Sequence, residues 1–122
     1  MELFKDGKLI PVCPEKLGGL PIPRPPAEIK NGQGRDVLAG KARVKNKSGK
    51  DVTVNFIKGA KEVLKIAKAL EVKEAILKAR SPSCGCDKIY DGTFTGKLTR
   101  GDGVTTALLK KNKIKVITEE DL

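Results

Sequence analysis

At 122 residues, 39% hydrophobic and 33% charged, the chain is sized for one globular domain over residues 1–122, and it carries too much apolar residue to stay disordered. No apolar run approaches the roughly 20 residues of a membrane span, and Met1-Glu2-Leu3-Phe4-Lys5-Asp6 lacks the basic and apolar regions of a secretion signal, so a cytoplasmic location is expected. Twenty-five Lys and Arg against 15 Asp and Glu leave a net charge of +10, which suits a polyanion such as nucleic acid or a solvated Lys/Glu surface.

Residues 8–13 read as a short buried strand that ends at Cys13. From Pro14 to Pro26 the chain holds five of its seven prolines and a diglycine. Proline lacks the amide donor and fixes φ, so this stretch is an ordered irregular loop rather than helix interior or central strand. Residues 42–45 read as a strand, 46–49 as a turn and 51–52 as the return, a small basic hairpin. Residues 54–70 carry helical periodicity through Phe56, Ala60, Val63, Ala67 and Leu70. Thr53 is the expected N-cap, and Gly59 a weak point tolerable where packing is close. Residues 74–79 read as a strand, with the loop Ser81-Pro82-Ser83-Cys84-Gly85-Cys86 after it. Residues 87–97 are glycine-bearing and irregular, 103–111 a helix, and 113–119 a last strand. This alternation predicts an α/β domain with a mostly parallel sheet flanked by helices, a Rossmann-like three-layer arrangement. Ligands in such folds bind beyond the carboxyl ends of the strands, where Cys13 and Cys84 are expected.

Histidine is absent, which removes the commonest zinc ligand and the usual neutral-pH base. No Walker-type phosphate loop is present, and Gly32-Gln33-Gly34 lacks the flanking strand and helix. Gly101-Asp102-Gly103 opens a helix whose free amides could hold an anion, but ordinary helix-start geometry explains it as well. Three phenylalanines and one tyrosine are too few for a base-stacking platform. An odd number of cysteines argues for free thiols or soft metal ligands rather than a disulfide framework. Three thiols can hold zinc with a carboxylate or water, or three corners of a four-iron cluster, or can simply be small buried hydrophobes.

Pro11-Val12-Cys13-Pro14-Glu15 and the run from Gly18 to Ile29 resemble the thiouracil desulfidase family. The similarity continues through Gly40-Lys41-Ala42-Arg43-Val44, Asp51-Val52-Thr53 and Gly59-Ala60. It is strongest at Ser81-Pro82-Ser83-Cys84-Gly85 and Ile89-Tyr90-Asp91-Gly92-Thr93-Phe94-Thr95-Gly96, and it closes on Gly101-Asp102-Gly103-Val104-Thr105. The resemblance implies an iron–sulfur enzyme that removes sulfur from thiolated uracil, as free base or within tRNA. It implies a 4Fe–4S cluster on three cysteines, with an open iron that takes the thiocarbonyl sulfur while water adds to the carbon. By motif, Cys13 and Cys84 are cluster ligands, Glu15 the carboxylate that activates water, and Ser81 the orienting hydroxyl. Family members usually begin with a further segment carrying Cys-Leu-Leu-Gly and Arg-Tyr-Asp-Gly motifs, and this chain is expected to start after it. Several explanations follow for the third ligand. Cys86 replaces it; another subunit of a homo-oligomer or a separate polypeptide supplies it; or the cluster is absent and the chain is a truncated, non-catalytic relative that binds RNA or a partner. A Cys84–Cys86 disulfide is a fourth, opposed by strain and compartment.

Overall fold

A computed structural model describes residues 1–121. Along the chain run β1 (Glu2–Lys5), β2 (Lys8–Pro11), α1 (Pro14–Leu17), β3 (Ala27–Lys30), α2 (Gly34–Leu38), β4 (Arg43–Asn46), α3 (Thr53–Ala69), β5 (Glu74–Leu77), β6 (Lys88–Tyr90), β7 (Leu98–Arg100), α4 (Val104–Lys111) and β8 (Lys115–Thr118), before a 3-10 turn at Glu119–Asp121. The main sheet has the order β2-β1-β5-β8, and the pairs β3–β4 and β6–β7 stand apart from it.

The α/β class, with helices packed on a sheet, is as the alternation predicts. Strand direction differs in detail. Among the strands of the described residues only β5 and β8 pair in parallel, because β1 inserts antiparallel to both β2 and β5. β1 and β2 form a hairpin across Asp6-Gly7, both with positive φ (51° and 76°), as a two-residue hairpin turn requires. β2 is a largely exposed edge strand rather than a buried one. Leu3 of β1 is the fully buried residue that anchors the hairpin.

α3 joins two hydrophobic cores. Its second half sets Val63 and Ala67 against Leu3, Ala75, Leu77 and Leu109 at the main sheet. Its first half sets Phe56 and Ala60 against Ile29, Val44 and Val104 at the β3–β4 pair. The expected stripe is therefore real through Ala67, while Leu70 lies outside it at 39% exposure. The N-cap is Val52 rather than Thr53. Thr53 is the first helical residue, and its hydroxyl oxygen accepts the Val44 amide at 2.9 Å, tying the helix start to β4. The Thr53 amide is satisfied instead by Asp51 Oδ1 at 2.9 Å. The basic hairpin at 42–52 exists only in part. Its turn closes, but beyond one bridge from Lys45 to Asp51 the main partner of β4 is β3.

Candidate active site

β2 and β5 run in the same direction on either side of β1, so the loops that follow them leave the sheet at one end. That brings the Cys13 and Ser81–Cys84 segments toward each other without their strands being neighbours. Just beyond β2, Cys13 takes extended backbone angles as N-cap of α1, and Pro14 opens the helix. Gly59 lets α1 sit directly on α3, because a methyl group there would run into the Pro14 carbonyl oxygen. The polyproline segment then folds back so that Arg24 Nε donates to Glu15 Oε2 at 2.8 Å. The same guanidinium donates toward Cys13 Sγ at 3.9 Å. Arg24 thus touches both the candidate base and a candidate ligand.

The second loop is built against α4. Ser81 Oγ accepts the Cys84 amide at 2.7 Å and closes the turn. The carbonyls of Pro82 and Ser83 accept the Val104 and Thr105 amides, each at 2.8 Å. These bonds use the helix-start amides that could otherwise have held an anion, so Gly101-Asp102-Gly103 serves as helix-start geometry. Gly103 is required there, since a methyl would meet the Ser83 backbone. The Ser83 and Thr105 hydroxyls bond at 2.8 Å, and Thr106 Oγ1 donates to the Cys84 carbonyl at 2.9 Å. Cys84 is 4% exposed. Burial pushes its thiol up to about 11; the Ser83 hydroxyl eases this and the Glu15 carboxylate adds to it. Glu15 is therefore electrostatically close to Cys84, and Arg24 links it to Cys13.

Cys86 belongs elsewhere. Burial raises its thiol, and Lys110 lowers it, with Asp87 and Asp102 close by. None of these groups is among the main influences on Cys84. Cys86 lines a separate cavity of about 240 Å³ with Arg80 and Glu120. The ligand atoms of Cys86, Asp87 and Asp102 lie within 4.8 Å of one another, but the Lys110 ammonium bonds both carboxylates, at 3.4 and 3.2 Å. The main charged influences on Cys84 and Cys86 thus differ.

Glu15 and Ser81 line one cavity of about 510 Å³, together with Arg24, Glu28, Tyr90 and Phe94. Glu28 was legible in the sequence only as a letter of the proline-rich motif. Here Oε1 of its buried side chain accepts the amides of Gly92 and Phe94 at 2.9 and 3.1 Å, fixing the loop between β6 and β7 as a cavity wall. Soft thiolate donors suit an iron–sulfur group. Cys13, against Arg24, and Cys84, bonded through its amide to Ser81, adjoin residues that line this cavity, while Cys86 lines another.

The chain resembles known proteins over nearly its whole length. A protein of Bacillus subtilis (strain 168), the uncharacterized protein YbbK, is 48% identical over 121 residues, covering 99% of this chain and 80% of its own length. A solved structure of the [4Fe-4S]-dependent thiouracil desulfidase TudS superposes with a TM-score of 0.80 at 44% identity, covering 93% of this chain and 68% of that one. The segments that carry Cys13, Glu15, Ser81 and Cys84 fall inside residues 1–121, which match the model of the 2-thiouracil desulfurases, and the chain belongs to that family.

Proposed function

We propose that this protein removes the sulfur of a thiolated uracil bound in the 510 Å³ cavity. One observation carries the reading: Glu15 and Ser81, from loops that follow different strands, line that cavity beside Cys13 and Cys84. Arg24 takes Glu15 Oε2 and leaves Oε1 without a partner among the described residues, free to accept a proton from water. Ser81 Oγ is fixed by accepting the Cys84 amide, and its own proton is the one proposed to be donated to the ligand. Water's oxygen replaces the thiocarbonyl sulfur, which leaves as hydrosulfide, with no net electron transfer. An iron–sulfur cluster held by Cys13 and Cys84 would supply a soft Lewis acid matched to that sulfur. Cys86 lines a different cavity, which favours assigning the remaining ligand position to another group. The test is anaerobic turnover of 2-thiouracil by the iron-loaded protein. Glu15→Gln and Ser81→Ala should each lose about a hundredfold or more in rate, whereas equal rates in wild type and both variants would sink the assignment.

A second reading, binding of tRNA or another RNA with or without turnover, draws on one surface feature. Lys58, Lys61, Lys65 and Lys68 are exposed on α3 at helical spacing, and none makes an ion pair among the described residues. Unpaired like charges at that spacing weaken a helix, a cost a polyanion would relieve. Its mark is RNA affinity that falls steeply with salt. RNA binding absent at low salt rules it out.

A further inference from the structure

Glu28 is the only charged residue that is buried among those described. An isolated carboxylate in such a place is costly unless it is paired or fully hydrogen-bonded. Glu28 is neither. No lysine or arginine forms an ion pair with it among the described residues. Its Oε1 takes both the Gly92 and the Phe94 amides, and its Oε2 accepts no hydrogen bond there. No buried side-chain oxygen or nitrogen of the described residues lacks a partner, so Oε2 is not sealed in the core. The residue lines the same cavity as Glu15 and Ser81. One oxygen is thus fixed by two amides, and the other is held in position and open.

We infer that Glu28 Oε2 is the acceptor for a ring N–H of the thiolated uracil. This rests on the proposed desulfidase reading and names what that site recognises. A thiouracil ring carries its N–H donors in the ring plane, next to the thiocarbonyl and carbonyl carbons. A carboxylate can accept from them and can donate nothing, so it selects the N–H form of the ring over an N-alkylated one. Fixed in advance, it loses little freedom when the ligand arrives. The same side chain shapes the wall that would lie along the ring face. Phe94 holds a left-handed backbone (φ 57°), unfavourable for a bulky residue, and its amide is bonded to Glu28. Its half-buried ring lines the cavity with Tyr90, and the Lys30 ammonium lies 5.3 Å from its centroid. Glu28 is on this account a specificity residue that reads the ring edge and places the aromatic wall.

The test is equilibrium binding of 2-thiouracil, 1-methyl-2-thiouracil and 3-methyl-2-thiouracil to the anaerobically purified protein. Wild type should bind one of the two methylated bases about ten- to a hundredfold more weakly than the parent, the range for a hydrogen bond to a charged group. Glu28→Gln keeps an oxygen for the two amides and puts an NH₂ where Oε2 stood. It should keep the unfolding temperature, lose about ten- to a hundredfold in affinity for 2-thiouracil, and largely erase the penalty of that one methyl group. Equal binding of all three bases by wild type overturns the inference without any variant, and so does a folded Glu28→Gln that binds 2-thiouracil like wild type. A wild-type protein that binds none of the three overturns both this inference and the desulfidase reading. Wild type that turns over 2-thiouracil with no methyl discrimination overturns this inference alone.

Discussion

Cys84 shows how burial and chemistry compete at a single residue. Its thiol is shifted from the ordinary 9.0 up to about 11, chiefly by burial. The folded state therefore holds the proton more tightly than the unfolded chain. That contribution to stability is fully present below about pH 9 and is lost as pH rises through about 11, a change of about 3 kcal/mol. Urea unfolding from pH 8 to 11 should show this decline in wild type and a flatter profile in Cys84→Ala; parallel profiles would contradict it. A metal must displace the same proton, so iron uptake at this residue should strengthen with pH. Arg24 makes a second prediction. Arg24→Gln removes the ion pair that fixes the Glu15 carboxylate, and turnover of 2-thiouracil should fall about tenfold or more while the protein stays folded. Unchanged turnover in a folded Arg24→Gln would mean that Arg24 does not position Glu15. Cys13, Glu15, Ser81 and Cys84 were legible as a group because two strand ends and two motifs both pointed to them. For Cys86 the sequence leaves two readings, replacement ligand or bystander, and its charged neighbours favour the second. Those neighbours are Lys110 of α4, Asp102 just before it and the adjacent Asp87, of which the sequence shows only the last as near.

At the level of elements, α3, α4 and β5 were readable from apolar periodicity, since each buries one face, and β8 from its apolar residues and place in chain order. The missed elements are short. β1 buries only Leu3, too little to register as a pattern, although Asp6-Gly7 is a hairpin signal in plain sight. β3 emerges directly from the prolines, and α2 has five residues, less than two turns. What positions the site is less the elements than their close approach. Gly59 of α3 under Pro14 of α1 is the critical example. Gly59→Ala should gain helix propensity yet lose about 1–3 kcal/mol of net stability, because the clash is with backbone. It should also weaken 2-thiouracil binding by shifting Cys13 and Glu15. Thermal unfolding together with the binding titration checks both, and a stabilised variant with unchanged binding would show that α1 can move freely.

Across the whole molecule, two cores meet along α3, and the cavity lies where the end of the main sheet faces β3. Residues from both sides contribute: Ala79 and Ser81 beyond β5, Ala27 and Glu28 of β3, Glu15 of α1. The net charge of +10 adds an attraction for anionic ligands that salt should screen. The most direct measurement is anaerobic reconstitution with iron and sulfide, followed by 2-thiouracil, reading loss of the thiocarbonyl absorbance and release of hydrosulfide. The proposed site predicts conversion to uracil with one hydrosulfide per base, undiminished in Cys86→Ser and reduced about a hundredfold or more in Glu15→Gln. Thiouracil left intact by iron-loaded wild-type protein, or loss of activity in Cys86→Ser equal to that in Glu15→Gln, would contradict it.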